Sequence, residues 1–328
     1  DLVCEGCGDC SVESNCLSVI PKETPLGRKR QIDQNNCNKD FSCINGFCPS
    51  FVTIEGGERR QANTSITLAE EKTASLPSPQ IPSLDNSYDL LVTGVGGTGV
   101  ITVGALITMA AHLEGRGTSV LDFMGFAQKF GPVLSYIRFA RNPSELNQVR
   151  IDNQQADALI GCDLVVSSSP RASRTYRRGH TRAVVNTTEM ATADFVKFRD
   201  ASLSAAKRVR AIQAITGQDR LSTVAANDLS DALLGKTIYA NVLMLGFAWQ
   251  KGLIPVSGEA LLRAIELNAV DVSKNQQAFN WGRVAAADPE YLRSAIAGPE
   301  STISGLPSLD EAIAYRAEFL GDYQDASL

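Results

Sequence analysis

The chain has 328 residues, 44% of them hydrophobic, with a formal net charge of −5. That length suffices for two domains with a buried core, and the mildly acidic balance gives no electrostatic case for nucleic acid or a membrane surface. No run of about 20 apolar residues is present, so no transmembrane helix is expected.

The cysteines come first in chain order. Seven of the eight fall within the first 48 residues. Cys4, Cys7 and Cys10 form C-x2-C-x2-C, with Cys16 following. Cys37 and Cys43 then flank Asp40 at the same spacing, and Cys48 is followed directly by Pro49. A two-cluster iron–sulfur protein repeats C-x2-C-x2-C plus a distant Cys-Pro, and each fourth cysteine ligates the other cluster. By that crossing rule one cluster takes Cys4, Cys7, Cys10 and Cys48. The other takes Cys16, Cys37 and Cys43, with Asp40 as fourth ligand or with that iron missing, so that it is a four-iron or a three-iron cluster. Residues 1–60 therefore read as a ferredoxin-like electron-transfer module. Two other readings stay open. A disulfide framework is disfavoured by the odd count and by a start that resembles no secretory or transit signal. Zinc ribbons also use paired C-x2-C motifs, but zinc does not account for the third cysteine in register or for the Cys-Pro ending.

Pro21 to Ile32 reads as an exposed basic hairpin between the two cysteine groups, whose tip could help dock an acidic redox partner. Residues 61–87 shift to Pro, Ser and small polar residues. Pro77, Pro79 and Pro82 would hold that stretch extended, as a linker. A domain opens at residue 88. Strands are expected at Tyr88–Val92, Ser119–Phe123, Ser135–Ala140, Ala158–Ser167 and Arg182–Asn186, with an apolar buried helix at Val100–Leu113. Strands alternating with helices predict a Rossmann-like parallel α/β domain over 88–265. Residues 201–268 read as mainly helical, and 266–328 as a helical C-terminal segment. Because residue 1 is Asp and the last residues lack a cap, the expectation is a cytoplasmic piece of a longer polypeptide, cut at both ends.

Gly94, Gly96 and Gly99 satisfy G-x-G-x-x-G between a predicted strand and a predicted helix, with Gly97 as an additional glycine. Side-chain-free positions let backbone approach a pyrophosphate, which the helix N-terminus stabilises. Asp122 lies about where a ribose contact is expected. Taken literally this is an NAD or FAD site; the bland reading is a tight turn packed against another domain. Arg171, Arg174 and Arg178 are spaced for one helical face, suited to solvent, a phosphate or an acidic partner. His112 and His180, the only histidines, have no companions for a triad or a metal site. Cys162 reads as a core thiol. No catalytic residue is identified.

The combination resembles the 2-oxoacid:ferredoxin oxidoreductases, and within them the fused indolepyruvate ferredoxin oxidoreductases. The resemblance rests on CEGCGDCSVESNC, GRKRQIDQNNCNKDFSCINGFCPSF, GVGGTGV, GFAQKFGPVLSYIRFA (Gly125 to Ala140) and KNQQAFNWGR (Lys274 to Arg283). It implies oxidative decarboxylation of a 2-oxoacid, indolepyruvate by likeness. Thiamine diphosphate with Mg would sit in a module upstream of Asp1, the acyl group would go to coenzyme A, and electrons would pass through the clusters to ferredoxin. Residues 88–265 would then be the gamma domain, and this chain alone would be inactive. The resemblance matches Gly94, Gly96, Gly97 and Gly99 to a gamma turn that does not require NAD. It also places Gln128, Lys129, Ser135 and Arg138 near substrate or coenzyme A. Other modules of the same polypeptide and a homo-oligomeric assembly are the expected partners, with no nucleic acid or membrane. Two alternatives remain: a reductase fed by NAD(P)H or FAD at the glycine turn, and a non-catalytic, zinc-stabilised docking module.

Overall fold

The computed structural model describes residues 3–24, 26–34, 37–46, 48–51, 71–125, 131–189, 204–296, 308–311, 313–314 and 317–318. In the cysteine-rich segment, α1 (Asp9–Ser14) is followed by an antiparallel hairpin of β1 (Val19–Thr24) and β2 (Gly27–Ile32). The expected hairpin thus forms between the two cysteine groups. A 3-10 turn at Ser42–Asn45 packs against α1 and so brings the later cysteines beside the earlier ones. Gly6 has φ +72°, and a Cβ there would collide with the Arg28 carbonyl. The first cysteine loop can lie on β2 only because residue 6 has no side chain.

A six-stranded sheet forms the larger body. Its strands are β3 (Tyr88–Val95), β4 (Gly117–Met124), β5 (Pro132–Ala140), β6 (Ala158–Gly161), β7 (Arg182–Asn186) and β8 (Leu221–Val224). The spatial order is β4-β5-β3-β6-β7-β8. β3, β6, β7 and β8 pair in parallel, whereas β5 runs antiparallel to both neighbours, β4 and β3. The sheet is therefore mixed, not wholly parallel. The reason is the connection: residues 125–131 join β4 to β5, and a parallel crossover needs about a dozen residues or more.

Three further expectations are corrected. Ala158–Ser167 is not one strand: it stops at Gly161, and Asp163 caps α3 (Leu164–Ser167) by accepting from the Val166 amide at 2.8 Å. The arginine stripe does not form, because α4 (Pro170–Ser173) ends before Arg174 and the chain turns through Arg177–His180. β8 adds a strand inside a region read as mainly helical.

One sheet face is covered by α2 (Val100–Leu113), α7 (Ala240–Gln250), α8 (Gly258–Asn268) and α9 (Val272–Ala287), which share one core with Leu90, Val92, Ile137 and Phe139. The other face buries Leu91, Leu134, Tyr136 and Tyr176 with Ile212 of α5 (Ala205–Thr216). α6 (Ala226–Leu234) and α10 (Pro289–Ile296) are two further helices. α7 and α9 meet almost backbone to backbone: a Cβ on Gly246 would strike the Phe279 carbonyl, and one on Gly282 the Leu243 carbonyl. Residue 265, where the sequence suggests that the domain ends, falls inside α8, and α9 belongs to the same core. The described part of the Pro-rich stretch lies against these helices. Pro77 accepts from Gln250 Nε2 at 2.6 Å, Leu84 is buried, and Lys72 pairs with Asp288 at 2.8 Å. No helix among the described residues is long and apolar enough to cross a membrane.

Candidate functional site

The hairpin, α1 and the 3-10 turn hold the cysteines in two groups. Burial pushes the Cys10 thiol up, and the nearby charges of Cys48 and Cys4 add to the shift. Burial likewise raises Cys43, and its charged neighbours are Cys37, Cys16 and Asp40. Cys48 and Cys4 thus lie near Cys10, and Cys16 and Cys37 near Cys43. Cys7, the remaining member of the first group by spacing, is exposed.

Backbone amides point at the sulfurs. Gly6 and Arg30 N–H both donate to Cys4 Sγ at 3.4 Å, Ser18 N–H to Cys16 Sγ at 3.4 Å, and Lys39 N–H to Cys37 Sγ at 3.4 Å. Such donors stabilise a thiolate and tune whatever it ligates. Among the described residues no three His, Cys, Asp or Glu side chains converge on a point where a single metal ion would sit. A multi-iron cluster attaches each thiolate to a different iron, so its ligands stand further apart than those of one ion. The donor chemistry, thiols with amides aimed at them, fits two iron–sulfur clusters.

Asp40 has an additional occupation. Its Oδ1 accepts from the Ser42 amide at 3.1 Å and the Ser42 hydroxyl at 2.9 Å, and its Oδ2 accepts from Asn38 Nδ2 at 3.4 Å. The Ser42 amide, then the Ser42 hydroxyl, hold its carboxyl below the usual range. The carboxylate thus starts the 3-10 turn that carries Cys43, as a local Asx cap does.

The glycine turn caps the carboxyl end of β3, where the strand order reverses between β5 and β6; ligands of open α/β sheets bind at such points. The four glycines do different things. A Cβ on Gly94 would lie 2.5 Å from Val100 Cγ2 and 3.1 Å from Cys162 Cβ, so Gly94 lets α2 close onto the strand. Gly96 donates to the Gly131 carbonyl at 2.7 Å, tying the turn to the end of the β4–β5 connection. Gly97 and Gly99 have φ +87° and +92° with open space around them. No side chain caps the first turn of α2. From α7, on the same sheet face as α2, Asn241 Nδ2 donates to the Thr98 carbonyl at 2.7 Å. Beside them Asn186, at the end of β7, donates to Asn227 Oδ1 at 2.7 Å and to the Cys162 carbonyl at 3.2 Å. Asn186 and Asn241 were not singled out from the sequence. Their signal was there: Asn186 ends an apolar run (RAVVN), and Asn241 interrupts one (IYANVLML).

Other predicted residues lie elsewhere. Asp122 is not positioned for a ribose: β5 separates β4 from β3, putting it two strands away, about 10 Å, and its Oδ1 accepts from Ser135 Oγ at 2.5 Å. Ser135 is therefore buried under α2 in contact with Asp122, not facing an open site. Arg138 pairs with Asp89 at 2.7 Å near the opposite end of β3 from the glycine turn. Gln128 and Lys129 lie outside the described residues, in the β4–β5 connection whose end the turn touches. Burial pushes the Cys162 thiol up to about 12, so it stays an inert core thiol. His180 Nε2 contacts Asp157 Oδ1 at 2.7 Å.

The chain belongs to the pyruvate ferredoxin/flavodoxin oxidoreductase family, whose pattern matches residues 89–285. It is similar to the indolepyruvate oxidoreductase subunit IorB of Pyrococcus horikoshii, 26% identical over 207 residues that make up 61% of this chain and 96% of that protein. The subunit of the same name from Thermococcus kodakarensis is 38% identical over 55 residues, 17% of this chain and 27% of that protein. Among solved structures, the pyruvate oxidoreductase subunit PORC of Thermotoga maritima matches 61% of this chain and 96% of its own at 19% identity, with a TM-score of 0.45. The clustered cysteines precede the region matched by the family pattern.

Proposed function

We propose that this chain is the electron-relay and gamma part of a thiamine-diphosphate-dependent 2-oxoacid:ferredoxin oxidoreductase acting on an aryl pyruvate such as indolepyruvate. What supports the reading is the sorting of the cysteines into two groups with four backbone amides aimed at their sulfurs, in the same chain as a domain of this family. Cys4, Cys7, Cys10 and Cys48 would hold one cluster. Cys16, Cys37 and Cys43 would hold the other, with Asp40 beside them. The clusters, when bound, supply one-electron steps. The chain's own residues aim amides at the sulfurs and keep the two sets together through α1 and the 3-10 turn.

The turn at Gly94, Gly96, Gly97 and Gly99, with Gln128 and Lys129 in the adjoining connection, is the surface we assign to closing over the substrate and coenzyme A. Ser135 supports the sheet from inside beneath α2, and Arg138 pairs with Asp89 near the opposite end of β3. Thiamine diphosphate and Mg belong to a partner module, so this chain alone decarboxylates nothing. The deciding experiment is iron and acid-labile sulfide analysis of chain purified anaerobically from iron-replete cells. Two clusters' worth of both is expected, and stoichiometric zinc without sulfide would falsify the reading.

A further inference from the structure

β4 is an outer strand of the sheet, and among the described residues no strand pairs with its outer side. Such a strand offers a row of unpaired backbone groups to other chains. Proteins blunt that edge by keeping it short or by placing Lys or Pro on it. β4 does neither: it is eight residues long, reads GTSVLDFM, and its one charge, Asp122, is engaged by Ser135. It leaves large apolar side chains 37–55% exposed on both faces, Val120 and Met124 on the α2 side and Leu121 and Phe123 on the other. The sheet's other outer strand, β8, is half as long and exposes no large apolar side chain.

We propose that β4 pairs antiparallel with β4 of a second copy of this chain, about a two-fold axis at Val120, joining the two sheets edge to edge. The inference is independent of the iron–sulfur reading, since β4 lies outside the cysteine-rich segment. The strand's own sequence selects the occupant. Residues directly opposite one another in a pair share a face of the sheet, so the axis passes at a residue and not between two. Two registers keep seven of the eight residues paired, one centred on Val120 (117–123) and one on Leu121 (118–124). Centred on Leu121, Asp122 faces Val120 of the second copy. Centred on Val120, it faces Thr118, whose Oγ1 is shielded from water and has no hydrogen-bond partner. Turned about χ1, that hydroxyl can donate to Oδ2 of the opposite Asp122, whose Oδ1 is taken by Ser135. The two-fold makes this bond twice, sets Val120 against Val120 and brings no like charges together. A partner chosen by charge has no handle on this strand. Because each copy has one such strand, the symmetry closes the assembly at two.

The test is sedimentation velocity of the whole chain, with reductant, from about 1 to about 100 μM, the range in which a dimer of micromolar affinity forms. Val120→Lys sets two ammonium groups face to face at the axis and should make the chain monomeric throughout. Thr223→Lys puts the same charge on an exposed position of β8 and should leave dimerisation within about twofold. Thr118→Val removes a hydroxyl that is unpartnered in the single chain. It should leave the monomer's melting temperature unchanged or raised, yet weaken dimerisation by about tenfold, a combination that a structural role within one copy would not give. The proposal is overturned if the wild-type chain is still monomeric at about 100 μM, which would leave β4 to another module of the enzyme. It is overturned equally if Val120→Lys still dimerises, if Thr223→Lys disrupts the dimer as much, or if Thr118→Val dimerises as wild type does. If Val120→Lys fails to fold, Thr118→Val decides.

Discussion

Arg138 Nε and Asp89 Oδ1 lie 2.7 Å apart between β5 and β3, with both side chains nearly buried. The Nε–H is not aligned on Oδ1, so the contact is an ion pair without a well-formed hydrogen bond. Burial outweighs the arginine and, with Asp157 adding its own negative charge, raises Asp89 to about 6.

A raised carboxyl favours the folded state most below its unfolded pKa, and that contribution is lost as pH rises through the folded value. Asp89→Asn keeps the shape without the titration. Wild type should therefore lose about 2 kcal/mol relative to Asp89→Asn between about pH 4.5 and 7.5. Denaturant melts of both proteins across that range check it, and parallel pH profiles would refute the shift. Arg138→Ala, which strands the carboxylate, should cost about 3–5 kcal/mol at neutral pH.

Asp40 tests the second cysteine group. A carboxylate is a weaker ligand than a thiolate for the irons of such a cluster. Mild oxidation should convert the cluster on Cys16, Cys37 and Cys43 to a three-iron form and leave the other intact. Asp40→Cys should abolish the conversion, as read by electron paramagnetic resonance. Asp40→Asn, which can still accept from Ser42, is the control: if it behaves as wild type does, capping is the whole role of the residue.

The turn glycines should separate by mechanism. Gly97→Ala meets only its backbone angle and should cost about 1–2 kcal/mol. Gly94→Ala must push Val100 and α2 outward and should cost about 3 kcal/mol. Val100→Ala combined with Gly94→Ala should recover part of that loss, a non-additivity that thermal melts would detect.

Nicotinamide and flavin cofactors should not bind the turn stoichiometrically, since Asp122 lies two strands away and is occupied by Ser135. Calorimetry showing micromolar affinity for either would reinstate the reductase alternative.

The hairpin between the two cysteine groups was legible because Pro21 to Ile32 is a local stretch, and it needs no knowledge of the sheet. The orientation of β5 was not legible from its own residues, since apolar content records burial but not the direction of a neighbour. The informative signal was the short connection at 125–131 before it. Arg171, Arg174 and Arg178 had helical spacing, yet the helix that Ser169 caps stops at Ser173, and Thr175 Oγ1 turns back to donate to the Ala172 carbonyl. The pairing of Arg138 with Asp89 spans distant segments, which local periodicity does not encode.

The Asn241 bond to Thr98 has a consequence in time. It spans 143 residues of chain. At a synthesis rate of about 5–20 residues per second, the glycine turn is made about 10–30 seconds before the residue that fastens it. β3, which ends in the turn, also waits for β5 and β6 to arrive on either side. A nascent chain that stops short of Ala240 lacks the tether from α7 to the turn, so anything that recognises the fastened turn meets a domain whose synthesis has passed α7.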